Sequence, residues 1–242
     1  MLYILISDIH GNLEALNAVL DDMSNVAPDF TVCLGDIVGY CANPNECAAI
    51  VKDKCDVILS GNHDYAALGL LDTAGFNIHA KKAMDWTYSN LSKETTGILK
   101  SALLFFENSD FTAVHATPDF PEKWHYLSSL KGARDIFEYF SQKICFVGHT
   151  HIPVLISLSS GGEMDIIHSN VNKLDSKSRY IINTGSIGQP RDKDPRASYC
   201  IYDSDAGTVE IRRVEYDVMG AQKKMEDLGM PSFLIKRLKE GR

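Results

Sequence analysis

Carboxylate, imidazole and amide side chains recur in five short segments: Asp8-Ile9-His10-Gly11-Asn12, Gly35-Asp36, Gly61-Asn62-His63-Asp64, a lone His115, and Gly148-His149-Thr150-His151. Oxygen and nitrogen donors without a thiolate suit manganese, iron, zinc, nickel or magnesium rather than a soft-metal site. The candidate ligands are Asp8, His10, Asp36, Asn62, His115, His149 and His151. They are too many for one tetrahedral ion and suit two divalent metal ions that share a carboxylate. Asp36, in the middle of the order, is the candidate bridge. Asp8 and His10, like His149 and His151, stand two residues apart, so an extended backbone would turn both members of a pair to one side. Glycines at 11, 35, 61 and 148 permit tight turns and close backbone approach beside them. Taken singly, each residue has an ordinary use: aspartate as a helix cap, histidine as a satisfied interior group, Asn62 as a turn former. The set together points to a metal centre.

Such a centre needs elements that bring the segments to one place. Each segment follows a short apolar, β-branched run: Leu2–Ser7, Phe30–Leu34, Val57–Leu59, Phe111–Val114 and Ile144–Val147. Ligands of open α/β sheets bind at the carboxyl ends of strands, so neighbouring strands would deliver all five segments to one crevice. Leu13, Leu16, Leu20 and Met23 recur at helical spacing after Gly11-Asn12, and Asn43-Pro44 opens another helix. Ala80–Ser89, Lys93–Ser101 and Leu130–Phe140 also have helical character. This alternation predicts an α/β sheet covered on both faces. Strands dominate afterwards: Val154–Leu158, Asp165–His168, Tyr180–Asn183, Tyr199–Tyr202 and Val209–Val214, with turns at Ser159-Ser160-Gly161-Gly162 and Asp205-Ala206-Gly207. Val218–Leu228 and a short segment after Pro231 are helical. The sequence has no repeat, low-complexity tract or linker, so two packed sheets in a single domain spanning 1–242 are expected.

The 242 residues, 45% of them hydrophobic, are enough for a substantial core. A formal charge of −8 argues against bulk binding to nucleic acid or to an anionic membrane. It leaves room for a small phosphate, because bound cations invert the local field. No stretch approaches the ~20 apolar residues that span a bilayer, and no membrane association is expected. Met1 leads into a strand-like run without the basic region of a signal peptide. Cys33, Cys41, Cys47, Cys55, Cys145 and Cys200 lack C-x-x-C spacing, which fits reduced thiols and a cytoplasmic location.

In this order and at strand ends, Asp8-x-His10, Gly35-Asp36, Gly61-Asn62-His63-Asp64, His115 and Gly148-His149-x-His151 resemble the motif set of the calcineurin-like metallophosphoesterases. The likeness spans residues 8 to 151 and extends to Asn183-Thr184-Gly185-Ser186. It implies a four-layer α/β/β/α sandwich of two mixed sheets. It also implies that Asp8, His10, Asp36 and His151 hold one ion, and Asp36, Asn62, His115 and His149 another. His63 would be the general acid near the leaving group. The implied activity is hydrolysis of a phosphate ester: paired ions clamp the attacking and leaving oxygens and lower the pKa of water from ~15.7 toward ~7. An acid adds about 10²–10⁴ in rate.

Two departures narrow the expectation. Protein phosphatases and symmetrical dinucleoside tetraphosphatases of the superfamily carry an acidic residue and an arginine shortly after the bridging aspartate, where this chain has Asp36-Ile37-Val38-Gly39-Tyr40. The usual carboxylate partner of the acid histidine is absent too. Asp64 is the substitute at hand, although adjacent side chains rarely face each other. The chain more nearly resembles the small bacterial and archaeal phosphodiesterase-like branch, so a small phosphodiester is the expected substrate. A phosphomonoester, a dinucleoside polyphosphate or a phosphoprotein is the alternative. A scaffold without turnover ranks last, because His63 is present.

Outside the motifs, Asn12 has two uses, touching substrate or capping the helix that follows. Arg191 offers a guanidinium for bidentate phosphate recognition, or pairs at the surface with Asp192 or Asp194. Tyr40 and Trp124 are assigned to packing, with a pocket wall as the alternative. His79, His125, His168, Lys81-Lys82 and the basic residues of Ile235–Arg242 are expected to be structural or solvated.

Overall fold

The computed structural model describes residues 1–127 and 129–242. Among them the strands are β1 (Leu2–Ile6), β2 (Phe30–Cys33), β3 (Val57–Ile58), β4 (Phe105–Glu107), β5 (Thr112–Val114), β6 (Ile144–Val147), β7 (Val154–Leu158), β8 (Met164–Ile167), β9 (Val171–Lys173), β10 (Arg179–Asn183), β11 (Ala197–Asp203) and β12 (Thr208–Val214). The helices are α1 (Leu13–Met23), α2 (Pro44–Lys54), α3 (Asn62–Ala67), α4 (Ile78–Asn90), α5 (Lys93–Ser101), α6 (Leu130–Ile136), α7 (Val218–Asp227) and α8 (Ser232–Glu240). No helix among the described residues is long and apolar enough to cross a membrane.

The described strands form two six-stranded mixed sheets. One has the order β3-β2-β1-β11-β12-β9, parallel through β1–β3 and antiparallel beyond β1. The other has the order β4-β5-β6-β10-β7-β8, with β5, β6 and β10 parallel. The expectation of one helix-covered sheet for the first half therefore needs correcting. The five motif-bearing strands divide between the sheets, β1, β2 and β3 in one and β5 and β6 in the other. Later strands complete both, β11 beside β1 and β10 beside β6.

Strand alternation explains the division. Tyr3, Leu5, Val32 and Leu34 of the first sheet share one buried cluster with Phe111, Phe146, Tyr180 and Ile182 of the second, so these faces meet. The alternate residues Ile4, Ile6 and Cys33 point the other way, into a cluster with Leu16 and Val19 of α1, Val51 of α2 and Leu99 of α5. On the far side, Val114, Cys145 and Ile181 lie under Ala133 and Ile136 of α6. Four layers result, α/β/β/α. Strands apolar on both sides cannot face water, and burying each large side chain contributes about 1.5–3 kcal/mol.

Local signals set most boundaries. The Asn77 side chain caps α4 by accepting from the N–H groups of His79 and Ala80. The helix expected over Leu130–Phe140 is α-helical only to Ile136 and continues as a 3₁₀ turn over Phe137–Tyr139. Three short elements carried no usable pattern: β4, β9 and α3.

Candidate metal centre

The backbone at the strand ends does not do what alternation predicts. Nine described non-glycine residues have positive φ, and five of them are candidate ligands: Asp8 (54°), His10 (52°), Asp36 (54°), His149 (66°) and His151 (61°). Left-handed backbone is uncommon for side-chain-bearing residues and collects at functional sites, held there by its surroundings. The paired histidines of Gly148-His149-Thr150-His151 are therefore not two members of one extended face. His151 joins Asp8, His10 and Asp36, whereas His149 joins Asp36 and His115; within each group the ligand atoms all lie within 4.8 Å of one another.

Backbone hydrogen bonds weld the segments together. The Asp8 N–H donates to the Gly35 carbonyl at 3.0 Å, and the His10 N–H to the Asp36 carbonyl at 2.9 Å. Asp8 Oδ2 accepts from Ser7 Oγ at 2.6 Å and from the His149 N–H at 3.0 Å, which ties one sheet to the other. Space there is limiting: a Cβ at Gly61 would stand 2.0 Å from Asp36 Oδ1, and one at Gly148 2.0 Å from Ser7 Oγ.

Asp64 corrects a second expectation. It does not orient His63. Its Oδ2 accepts from the N–H groups of Asp36 (2.8 Å) and Gly61 (2.9 Å), and its Oδ1 from those of Ile37 (3.0 Å) and Val38 (3.2 Å). The carboxylate is the internal clamp of the turn that presents Asp36. Burial and the nearby Asp36 charge push Asp64 up to about 7, while the backbone donors favour its anion.

The donor set fits metal. His10 Nδ1 lies 3.2 Å from the Val38 carbonyl, His115 Nδ1 3.0 Å from that of Leu34, and His151 Nδ1 2.6 Å from that of Gln189. A carbonyl only accepts, so each Nδ1 carries a proton, which turns Nε2 inward toward the other donors, the arrangement that orients metal-ligating histidines. The Nε2 atoms of His10 and His151 then face each other at 3.0 Å, which calls for a cation between donors. Asp8 Oδ1, Asn62 Oδ1, His115 Nε2 and His149 Nε2 are buried without a hydrogen-bond partner among the described residues. Buried polar atoms are normally paired, and these four are among twelve such unpartnered side-chain atoms of the described residues.

Burial alone would raise Asp8, but the rings of His151 and His115 hold its carboxyl well below the usual range. Asp36 is held down in the same way by His115 and His63. Burial keeps His10 and His151 below the ordinary imidazole value, His63 at about 4 and His149 at about 3. Neutral imidazole is the form that ligates. Burial acts on His115 too, yet the Asp36 and Asp8 carboxylates raise it to about 9.

A cavity of about 340 Å³ opens beside the centre, bounded by Asn62, His63 and His149 and walled by Tyr40, Phe76, Trp124 and Tyr126. The Tyr126 ring stacks on His149 at 4.0 Å, and the rings of Tyr40 and Phe76 lie 4.5 and 5.1 Å from that of His63. Tyr40 and Trp124 thus both pack and line the pocket. Phe76 and Tyr126 were missed, because isolated aromatics in loops carry no pattern.

Asn12 takes the capping use. Its Oδ1 accepts from the Ala15 N–H, and its Nδ2 donates to the Gly188 carbonyl and the Tyr216 hydroxyl. Arg191 does not pair with Asp192 or Asp194, whose partners are Arg213 and Arg196. Its Nη2 lies 3.3 Å from the Tyr40 hydroxyl and 3.1 Å from Gln189 Oε1. His79 stacks on Phe233, His125 meets Asp119, and His168 is exposed.

Two facing mixed sheets with helices outside, and aspartates and histidines gathered where strands end, define a metal-dependent phosphoesterase. The calcineurin-like phosphoesterase superfamily domain matches residues 1–207, and the chain belongs to that superfamily. It is 42% identical over 241 residues to the uncharacterized protein MJ0912 of Methanocaldococcus jannaschii, covering 98% of this chain and 97% of that one. A metallophosphoesterase crystal structure from Sphaerobacter thermophilus matches with a TM-score of 0.89 at 40% identity, over 100% of this chain and 99% of that one. The hypothetical protein PH1004 from Pyrococcus horikoshii OT3, at 18% identity, shares the fold with a TM-score of 0.80, over 100% and 98% of the two chains.

Proposed function

We propose that the chain, as one domain over residues 1–242, hydrolyses a small phosphodiester. Asp8, His10, Asp36 and His151 hold one divalent ion, and Asp36, Asn62, His115 and His149 hold a second. The observation that carries this is Asp36, which offers a ligand atom to both groups of donors. Bound divalent ions supply charge neutralisation at the phosphoryl oxygens and make water acidic enough to attack at neutral pH.

The remaining work falls to side chains around the cavity. His63 stands at its wall, with Tyr40 and Phe76 holding the ring, and donates a proton to the departing oxygen. Burial leaves it neutral when free, so it becomes an acid only as an anionic substrate raises its proton affinity. Arg191 binds a non-bridging oxygen, a use left open by the other pairings of Asp192 and Asp194. Diester preference is supported by the segment after Asp36. Ile37 and Val38 are fully buried, so it brings no charged group to the site, and a singly charged diester needs fewer cationic contacts than a monoester dianion.

The test is a screen of bis-p-nitrophenyl phosphate, p-nitrophenyl phosphate, cyclic nucleotides and dinucleoside polyphosphates with manganese, iron, zinc, nickel or magnesium supplied, and bound metal measured by elemental analysis. Close to two ions per chain and faster turnover of the bis-ester are expected. Material that stays metal-free under all these conditions would end the proposal.

A further inference from the structure

One wall of the cavity beside the metal ligands carries a polar group that the proposed chemistry has not used. The wall is Trp124, which lines the cavity together with Asn62 and His149. The 3₁₀ turn Pro121–Lys123 ends on it, with φ 56° and ψ 40°. Left-handed backbone is an outlier for a bulky aromatic and persists only where the surroundings hold it. Of the nine described non-glycine residues with positive φ, five are candidate ligands, and two more, Tyr40 and Trp124, wall this cavity. Neighbouring rings fix the indole edge-on, Tyr65 at 5.2 Å and His115 at 6.0 Å, both at 68°. Trp124 is only 8% exposed.

Its one polar atom, Nε1, is buried without a hydrogen-bond partner among the described residues. A buried tryptophan N–H usually finds an acceptor, and leaving it unmet is costly. Of the twelve unpartnered side-chain atoms, four belong to residues that line this cavity: Asn62 Oδ1, His63 Nδ1, Trp124 Nε1 and His149 Nε2. Three of those residues already have a place in the proposed chemistry, two as ligands and His63 as the acid. The ions that would satisfy Asn62 and His149 cannot satisfy Trp124, because an indole N–H offers no lone pair. Its missing partner is an acceptor. Closure to solvent does not set the atom apart, since the Asn62 and His149 atoms are equally buried. The acceptors that must enter this cavity during turnover are phosphoryl oxygens.

We propose that Trp124 is a catalytic residue whose indole N–H donates to a non-bridging oxygen of the phosphoryl group under attack. This rests on the phosphoesterase function proposed above and adds a residue to its site. A fixed donor aimed at an oxygen that gains charge stabilises the transition state without reorganising. Being neutral, it does so without adding a further cation, which suits a singly charged diester.

The chain has two tryptophans, Trp86 and Trp124, so a heteronuclear spectrum of its indole N–H groups holds two signals, assigned with Trp86→Phe. Full-length protein loaded with zinc or magnesium, both diamagnetic, is titrated with inorganic phosphate at fixed free metal. The Trp124 proton should move downfield and saturate, while the signal of Trp86, half-buried on α4, stays in place. A Trp124 signal that does not move throughout the titration overturns the proposal, and it is the outcome expected if the N–H merely meets a buried water. Trp124→Phe keeps an aromatic ring and removes the donor. It should bind phosphate about tenfold more weakly by calorimetry and lose about tenfold in kcat/KM on bis-p-nitrophenyl phosphate, with bound metal unchanged. Trp86→Phe should stay within about twofold of the parent on both measures. Unchanged phosphate affinity in Trp124→Phe, or an equal loss in Trp86→Phe, also overturns the proposal. If Trp124→Phe fails to fold, the titration of the parent decides. If the bis-ester is not hydrolysed, the proposed activity fails, while the Trp124 contact stands or falls on the phosphate titration.

Discussion

Replacing Asp64 by asparagine tests the clamp behind Asp36. Each carboxylate oxygen accepts two backbone N–H bonds, Oδ2 from Asp36 and Gly61 and Oδ1 from Ile37 and Val38. An amide has one oxygen. In either flip its NH₂ group faces two backbone donors, which lose their acceptor inside a fully buried site. An unsatisfied buried donor costs about 1–3 kcal/mol, so the variant should lose about 2–6 kcal/mol before any donor–donor repulsion. For a chain of this size each kcal/mol lowers the melting midpoint by roughly 2–4 °C, which gives a drop of roughly 4–24 °C. Thermal and urea unfolding measure the stability, and elemental analysis of the same preparations measures bound metal. Both should fall, because the clamped turn also presents Asp36. A variant within ~0.5 kcal/mol of the parent, fully metal-loaded, would refute the argument, since surface changes alone stay inside that margin. Lost turnover with unchanged stability would instead return Asp64 to the role of orienting His63.

Asp36→Asn should reduce bound metal at both groups of donors, whereas His63→Gln should keep the metal and lose about 10²–10⁴ of turnover; unchanged turnover in His63→Gln removes it as the acid. Gly61→Ala puts a Cβ 2.0 Å from Asp36 Oδ1, so metal content should drop while circular dichroism stays near that of the parent; full metal content would show that the turn yields. The Tyr3 hydroxyl donates to Asp110 at 2.6 Å, and burial with that bond pushes Tyr3 up to about 12. The unfolded chain releases this proton near pH ~10 and the fold retains it, so stability falls as pH rises from about 10 to about 12. Urea midpoints across that window should fall less steeply in Tyr3→Phe, and equal slopes would disprove the coupling.

Much of the fold was legible because it rests on local rules. Leu13, Leu16, Leu20 and Met23 mark α1 through period alone, and Asn43-Pro44 marks the start of α2. Elements of three residues, such as β4 and β9, exist because a neighbour pairs with them, and a window of sequence contains no neighbour. The candidate ligands were legible by type and order. The reason given for Asp8-x-His10 and His149-x-His151 was not correct, because left-handed backbone rather than extended alternation aims those side chains. Such φ values are imposed by tertiary hydrogen bonds, among them the His149 N–H to Asp8 Oδ2.

The sequence by itself determined which donors the chain owns, that they follow strands, and which superfamily the motif order resembles, since these depend on residue type and spacing. Tertiary structure alone decided that the donors divide between two sheets and still meet, that His149 and His151 serve different groups, and that Asp64 clamps a turn. Those outcomes depend on how β10 and β11 pair, contacts between residues up to two hundred positions apart that no local pattern encodes.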